Sequence, residues 1–336
     1  MEGMSRALTN LKHASADSLP AAVYYAFKQS EVDKEDVVST GWATFLEATL
    51  ASGFQVDGTW PVRTELTTNL KKSRNALASS IVLVCRKRPV DAQSVTRGEF
   101  LRTLRAGLPA ALHTLQESAI APVDMAQASI GPGMAVFSRY KEVLEADDRR
   151  MSVREALRII NAELDAFLAE QEGDYDSWTR FAVTWFQQHG FNTEKYGEAE
   201  VLANARDVAV QGVVDAGIIA SKANQVRLLR RDELPDDYLP FQDSRQTVWE
   251  GCQHLIKRLE GGSEVEAARL AKQLGYQADM ARDLAYRLYQ ICERNKWAEE
   301  ARAYNGLIES WREIIKIRDT LPDETAPGPA QVELAV

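Results

Sequence analysis

The stretch Ser79-Ser80-Ile81-Val82-Leu83-Val84-Cys85-Arg86 decides the fold of the first part of this chain. Its central run, Ile81 to Cys85, is continuously apolar and rich in β-branched residues, so it reads as a strand too apolar to be a solvent-facing edge. Upstream, Phe54 to Trp60 reads as a second strand. The glycine before it, Gly53, stops a helix whose face is Trp42, Phe45, Leu46, Thr49 and Leu50. A polar loop rich in Glu and Asp separates that helix from Ala21 to Phe27. This apolar and aromatic run ends in Lys28 and Gln29, which predicts a strand buried on both faces of a mostly parallel sheet. Earlier still, Met4, Ala7, Leu8 and Leu11 recur at helical spacing, and Ser15, Asp17 and Pro20 close the segment.

The resulting order of helix, strand, helix, strand, strand is half of an α/β domain. A parallel sheet needs helices on both faces, which two helices cannot supply for three strands. An open edge at the Ala21 strand and uncovered apolar surface are therefore expected. The chain reads as beginning in the middle of a domain that pairs with another polypeptide or is marginally stable alone.

Composition bounds the rest. The chain has 336 residues, 45% hydrophobic and 26% charged, enough for a large core and two or three domains. A net charge of −9 argues against a uniformly basic nucleic-acid wrapper, so any DNA contact must be a local patch. Cys85, Cys252 and Cys292 are far apart and form no CxxC pair, which fits a reducing cytosol. His13, His113, His189 and His254 are scattered and give a metal site little to build on. No apolar run approaches the roughly 18 residues of a membrane span, so a cytoplasmic protein is expected.

After Pro89 helix formers dominate. Helices are expected over Glu99 to Gln116, over Val153 to Leu168 with Ser152 and Glu155 as a capping box, and over Trp178 to Gln188. Ile130-Gly131-Pro132-Gly133-Met134 reads as a loop. Four helices fill Thr247 to Asp319. The divisions expected are 1–92, a helical region 93–190, a winged-helix-like unit 191–235, a helical bundle 236–320 and a disordered tail 321–336. The aromatic residues Trp178, Phe181, Trp185 and Phe186 recur at helical spacing and read as core, as do Tyr286, Tyr289, Trp297 and Tyr304. His189, before Gly190, reads as a helix C-terminal group favoured by the macrodipole.

Two stretches are candidates for chemistry. Between Arg63 and Arg105 there are ten basic residues and three acidic ones, a local excess of seven positive charges suited to phosphate contacts. Within and beside it, Lys28, Arg63, Lys71, Lys72 and Arg74 are the candidate DNA contacts; strand-flanking charges on a solvated hairpin are the plainer reading. Gly197 to Arg206, Val208 to Ala216, and a hairpin around Ile218 and Val226 to Leu229 resemble a winged helix-turn-helix, with Lys222, Arg227, Arg230 and Arg231 on the wing. The helix that would read bases offers Asp207, Gln211 and Asp215, whose acidic members repel phosphate. A wing-only contact or a structural unit fits better.

Further blocks carry a family resemblance: Tyr24-Tyr25-Ala26-Phe27-Lys28-Gln29, Gly41-Trp42-Ala43-Thr44, Thr59-Trp60-Pro61 with Arg63-Thr64-Glu65, Asn75 to Arg86, Ile120 to Asp124, Ile130 to Phe137 and Met151 to Leu157. Through these the chain resembles the C-terminal half of the large adenine-specific DNA methylases of bacterial phage-defence islands, a group associated with a zinc-ribbon. The resemblance implies an α/β plus α architecture. A partial, three-stranded S-adenosylmethionine-dependent methyltransferase sheet would precede the helical region, with the Ser79 strand reversed and inserted between its neighbours. It also implies DNA modification, double-stranded DNA as substrate, and an N-terminal methyltransferase half or other defence proteins as partners. Such enzymes hold S-adenosylmethionine on a glycine-rich turn and the flipped adenine on an Asp/Asn-Pro-Pro-Tyr loop. Neither motif occurs here, so this chain alone is expected to hold no cofactor and no catalytic residues. The alternative is a non-enzymatic, helical DNA-binding or scaffold module of a defence system.

Overall fold

The computed structural model describes residues 2–26, 40–63, 79–243 and 245–322. Lys28, Lys71, Lys72 and Arg74, and the tail from 323, lie outside the described residues. The first part runs α1 (Glu2–Ala14), β1 (Ala21–Ala26), α2 (Thr40–Ala51), β2 (Phe54–Arg63) and β3 (Ser79–Lys87). The strands form one sheet in the order β1-β3-β2, and β3 is antiparallel to both neighbours. The apolar Ser79 stretch is thus the central strand and runs against the other two.

Two expectations are corrected here. With the reversed strand between them, β1 and β2 never touch, so every pairing is antiparallel and the sheet is not mostly parallel. Nor is β1 buried on both faces. Register places Tyr25, Ile81 and Pro61 across one face, and Tyr24, Val82 and Trp60 across the other. On the first face Ile81, Leu83 and Cys85 are fully buried, and Tyr25 packs against Trp42 and Phe45 of α2 with ring centroids 4.9 Å apart. On the second, Tyr24 is 72% exposed, Trp60 42% and Val62 37%. The alternation of a one-sided sheet was hidden in β1 because both faces carry apolar side chains.

The connection to the helical part is made by β4 (Ser94–Thr96), α3 (Arg97–Glu117), α4 (Pro122–Ser138), β5 (Glu142–Leu144) and α5 (Val153–Glu170). Thr96 and Glu99 form the full capping box at the start of α3. At α5 only half of the expected box forms. Ser152 accepts from the Glu155 N–H, but the Glu155 carboxylate turns to Arg97 and Arg158. The expected loop Ile130 to Met134 is wrong: Gly131, Pro132 and Gly133 lie inside α4. Close packing explains the glycines. A Cβ at Gly131 would stand 2.3 Å from the Thr59 backbone nitrogen, and one at Gly133 would stand 2.5 Å from Ile160.

The remainder is α6 (Ser177–His189), β6 (Glu194–Lys195), α7 (Tyr196–Ala205), α8 (Val210–Asp215), β7 (Ile219–Lys222) and β8 (Gln225–Leu228), then α9 (Val248–Gly261), α10 (Glu264–Leu274), α11 (Gln277–Asn295) and α12 (Ala298–Thr320). β6, β8 and β7 form a small antiparallel sheet in that order. Phe181, Trp185, Phe186, Tyr286 and Tyr304 are fully buried, as their helical spacing predicts. Phe186 makes edge-on contacts with Trp249, Trp297 and Tyr304, which ties α6 to α9 and α12. A single hydrophobic cluster runs from Trp42 to Ile314, so sheet and helices share one core. No described helix is long and apolar enough to cross a membrane.

Candidate partner and nucleic-acid interface

The sheet has two edges, and among the described residues one of them is covered by a helix. Along β2, α4 lies close enough for Ser138 Oγ to accept from the Val56 N–H at 2.8 Å and to approach the Val56 carbonyl at 3.3 Å. Thr59 Oγ1 reaches the Gln127 and Ala128 carbonyls of α4 at 3.4 Å. A helix thus occupies the side of β2 that another strand would need. β1 pairs with β3 on one side and has no described strand on the other. Beside that edge lies the exposed face of Tyr24, Trp60 and Val62. A strand edge with no described neighbour, flanked by exposed aromatic and β-branched side chains, has the character of a pairing surface.

Among the described residues, several of the basic side chains of this segment are engaged within the fold. Arg86 pairs with Asp57 at 2.7 Å and Lys87 with Asp17 at 2.6 Å; this contact holds the Asp17 carboxyl below its usual range. Arg88 donates to the Leu50 and Tyr140 carbonyls at 3.0 Å, pinning β3 to the ends of α2 and α4. Arg97 bridges Glu145 and Glu155, and Arg105 pairs with Glu163 at 2.8 Å. The sequence count could not see these acids, because most lie tens of residues away. Of the candidate contacts in this region, Arg63 is the last residue of β2, and the other four lie outside the described residues.

On the wing the three candidates separate. Lys222 is exposed and flanks a two-residue turn, Ala223 and Asn224, with φ of 51° and 62°, the left-handed pair of a type I′ hairpin. Arg227 is engaged with Glu233, which it holds down to about 2, chiefly through side-chain hydrogen bonds. Arg230 lies over the Phe191 ring at 5.2 Å. Arg231 is half-buried, its guanidinium held by Glu300 and Gln253 over the Tyr304 ring. Of the wing candidates Lys222 and Arg230 are exposed, while Arg227 is held by Glu233. Asp207 sits in the turn before α8 with φ of 55°, not on the helix. Gln211 donates to Asp215, which also pairs with Arg245 at 3.1 Å. The helix face that would meet bases is engaged with its own neighbours.

The glycines bear directly on the cofactor. Gly131 and Gly133 are filled by Thr59 and Ile160, so the Gly-Pro-Gly cluster is a packing device and cradles nothing. That cluster offers S-adenosylmethionine no cradle. A cavity of about 360 Å³ does lie between α2, α4, α5 and α11, lined by Trp42, Leu164, Tyr286 and Tyr289. The Gln127 and Asn161 side-chain oxygens at its wall are buried without a hydrogen-bond partner. Arg294 and Asp165, paired at 2.6 Å, also line it. Its walls come from four separated segments, so no local sequence signal marks it.

Residues 176–334 match a family model described as a domain of unknown function (DUF8807). The match opens at Asp176, whose carboxylate caps α6, and spans the small β6-β8-β7 sheet and the last four helices. No curated protein and no solved structure matches the chain.

Proposed function

We propose that this chain supplies the closing strands of an S-adenosylmethionine-dependent methyltransferase sheet acting on adenine in duplex DNA, and that the cofactor-binding strands dock along the outer edge of β1, which no described strand occupies. The observation that carries this is the order β1-β3-β2, with the reversed strand between two that run the same way, one outer edge covered by α4 and the other with no described strand beside it. The exposed Tyr24, Trp60 and Val62 fit the same reading, since a complete doubly covered sheet would bury them. The residues of this chain would complete the sheet and carry the helical specificity region. Cofactor binding and methyl transfer would belong to residues beyond those described. The test is to mix this chain with a polypeptide that carries the glycine-rich turn and the Pro-Pro-Tyr loop. Methyl transfer to duplex DNA by the mixture, and by neither alone, supports the proposal; an inactive mixture overturns it.

A second reading has its own observation. The order α6-β6-α7-α8-β7-β8 with sheet order β6-β8-β7 supports a winged-helix reading, in which Lys222 would sit at the wing tip. In that reading the chain binds DNA as a non-enzymatic module, through the wing and phosphates. DNA binding by this chain alone, with the mixture inactive, would favour it.

A further inference from the structure

We infer that His189, Glu194 and Glu198 form a binding site for a divalent transition-metal ion. The three residues come from three elements: His189 ends α6, Glu194 opens β6, and Glu198 lies in the first turn of α7. One ligand atom from each can be chosen so that all lie within 4.8 Å of one another. The imidazole stands between the two carboxylates, with Nδ1 3.8 Å from Glu194 and Nε2 3.6 Å from Glu198. Both separations are too long for hydrogen bonds. They are close to the roughly 3.2–3.5 Å between ligand atoms that share one tetrahedral ion with bonds of about 2.0–2.2 Å. An ion uses one imidazole nitrogen, so the more distant glutamate has to swing in; both glutamate side chains are partly exposed and free to rotate.

The surroundings hold the ligands in place. His189 packs on the Trp185 ring with centroids 4.7 Å apart, and Trp185 is itself buried. Gly190, with φ of 60°, turns the chain sharply after His189, so the helix ends facing β6. Glu194 is fixed by pairing of β6 with Val226 of β8. One imidazole and two carboxylates make a mixed nitrogen and oxygen set. That set favours Zn²⁺, Co²⁺ or Mn²⁺ over Mg²⁺ and Ca²⁺, which prefer oxygen alone. The ion would staple α6 to β6 and α7 and stiffen the unit that carries the wing. In sequence the site reads His-x4-Glu-x3-Glu, a spacing that only the turn after Gly190 brings together.

The test is titration of the full chain with Co²⁺ and Zn²⁺, followed by calorimetry, cobalt absorption and thermal unfolding, with Mg²⁺ as the contrasting ion. The expected result is one Co²⁺ or Zn²⁺ per chain, a raised unfolding temperature, and no response to Mg²⁺. His189→Gln and the double variant Glu194→Gln/Glu198→Gln should lose the ion while keeping the wild-type circular dichroism. His13→Gln, at an exposed histidine elsewhere, should keep it. No uptake by the wild-type chain, or equal uptake by the His189→Gln and double-glutamate variants, overturns the inference.

Discussion

Replacing Gly131 by alanine should force α4 away from β2. The added Cβ would stand 2.3 Å from the Thr59 backbone nitrogen and 2.4 Å from Thr59 Oγ1, and backbone cannot swing aside as a long side chain can. Ordinary contact needs roughly 1 Å more, so helix and strand must separate. Overpacking of this kind costs about 1–3 kcal/mol. Separation also strains the 2.8 Å bond from the Val56 N–H to Ser138, and a buried amide left unpaired costs about 1–3 kcal/mol. Against this, alanine gains about 0.5–1 kcal/mol over glycine inside a helix. The net loss is about 2–4 kcal/mol, concentrated at β2. Gly107→Ala on the exposed face of α3, where an added Cβ meets nothing within 4 Å, should show only the gain. Native-state hydrogen exchange at β2 amides, with urea unfolding beside it, reads both. A Gly131→Ala protein as stable as the wild type would refute the packing role of these glycines and reopen a ligand-cradling one.

Arg231→Ala leaves the half-buried Glu300 without its partner and should cost about 1.5–3 kcal/mol in urea unfolding, more than Arg149→Ala at an exposed pair. Burial pushes the Glu250 carboxyl up to about 9, chiefly by desolvation and then by Asp243, against an ordinary 4.5. The folded state therefore holds a proton that the unfolded state releases, and stability falls as pH rises from about 4.5 towards 9. Glu250→Gln should flatten that fall, which melts at a series of pH values will show. His254, stacked on Tyr238 at 3.9 Å and pushed down to about 3 by burial, acts at the other end. Its contribution is present above about 6.5 and is lost as pH drops towards 3, so His254→Phe should gain acid resistance relative to the wild type. On the wing, Lys222→Ala should weaken DNA binding and flatten its salt dependence, because one phosphate contact is lost. Arg227→Gln should act mainly on stability through Glu233; a salt slope unchanged by Lys222→Ala would remove the wing from DNA contact.

The elements that pattern alone makes legible are those whose burial is one-dimensional. The unbroken apolar run of β3, the aromatic face of α6 and the four C-terminal helices each declare themselves through period and composition. Gly53, with φ of 88°, ends α2 as its position predicts. The failures share a physical origin, since each depends on what another part of the chain does. Gly131, Pro132 and Gly133 punctuate a sequence like a loop, yet they stay helical because β2 and α5 need that close approach. The positive excess between Arg63 and Arg105 shrinks once Asp17, Asp57, Glu145 and Glu163 fold onto it. Of the three wing cations, Arg227 turns to Glu233, leaving Lys222 and Arg230 exposed. The cavity at Gln127 and Asn161 and the trio at His189 are assembled across turns and helices that no local motif spans.

Whether β1 is built to receive another strand is read directly by amide hydrogen exchange over Ala21–Ala26. In an antiparallel pair only alternate amides bond to the neighbour, so the others on β1 face outward. Those outward amides should exchange rapidly in this chain alone and become protected when a polypeptide carrying cofactor-binding strands is added. Full protection across β1 without any partner would contradict a sheet completed by another polypeptide segment.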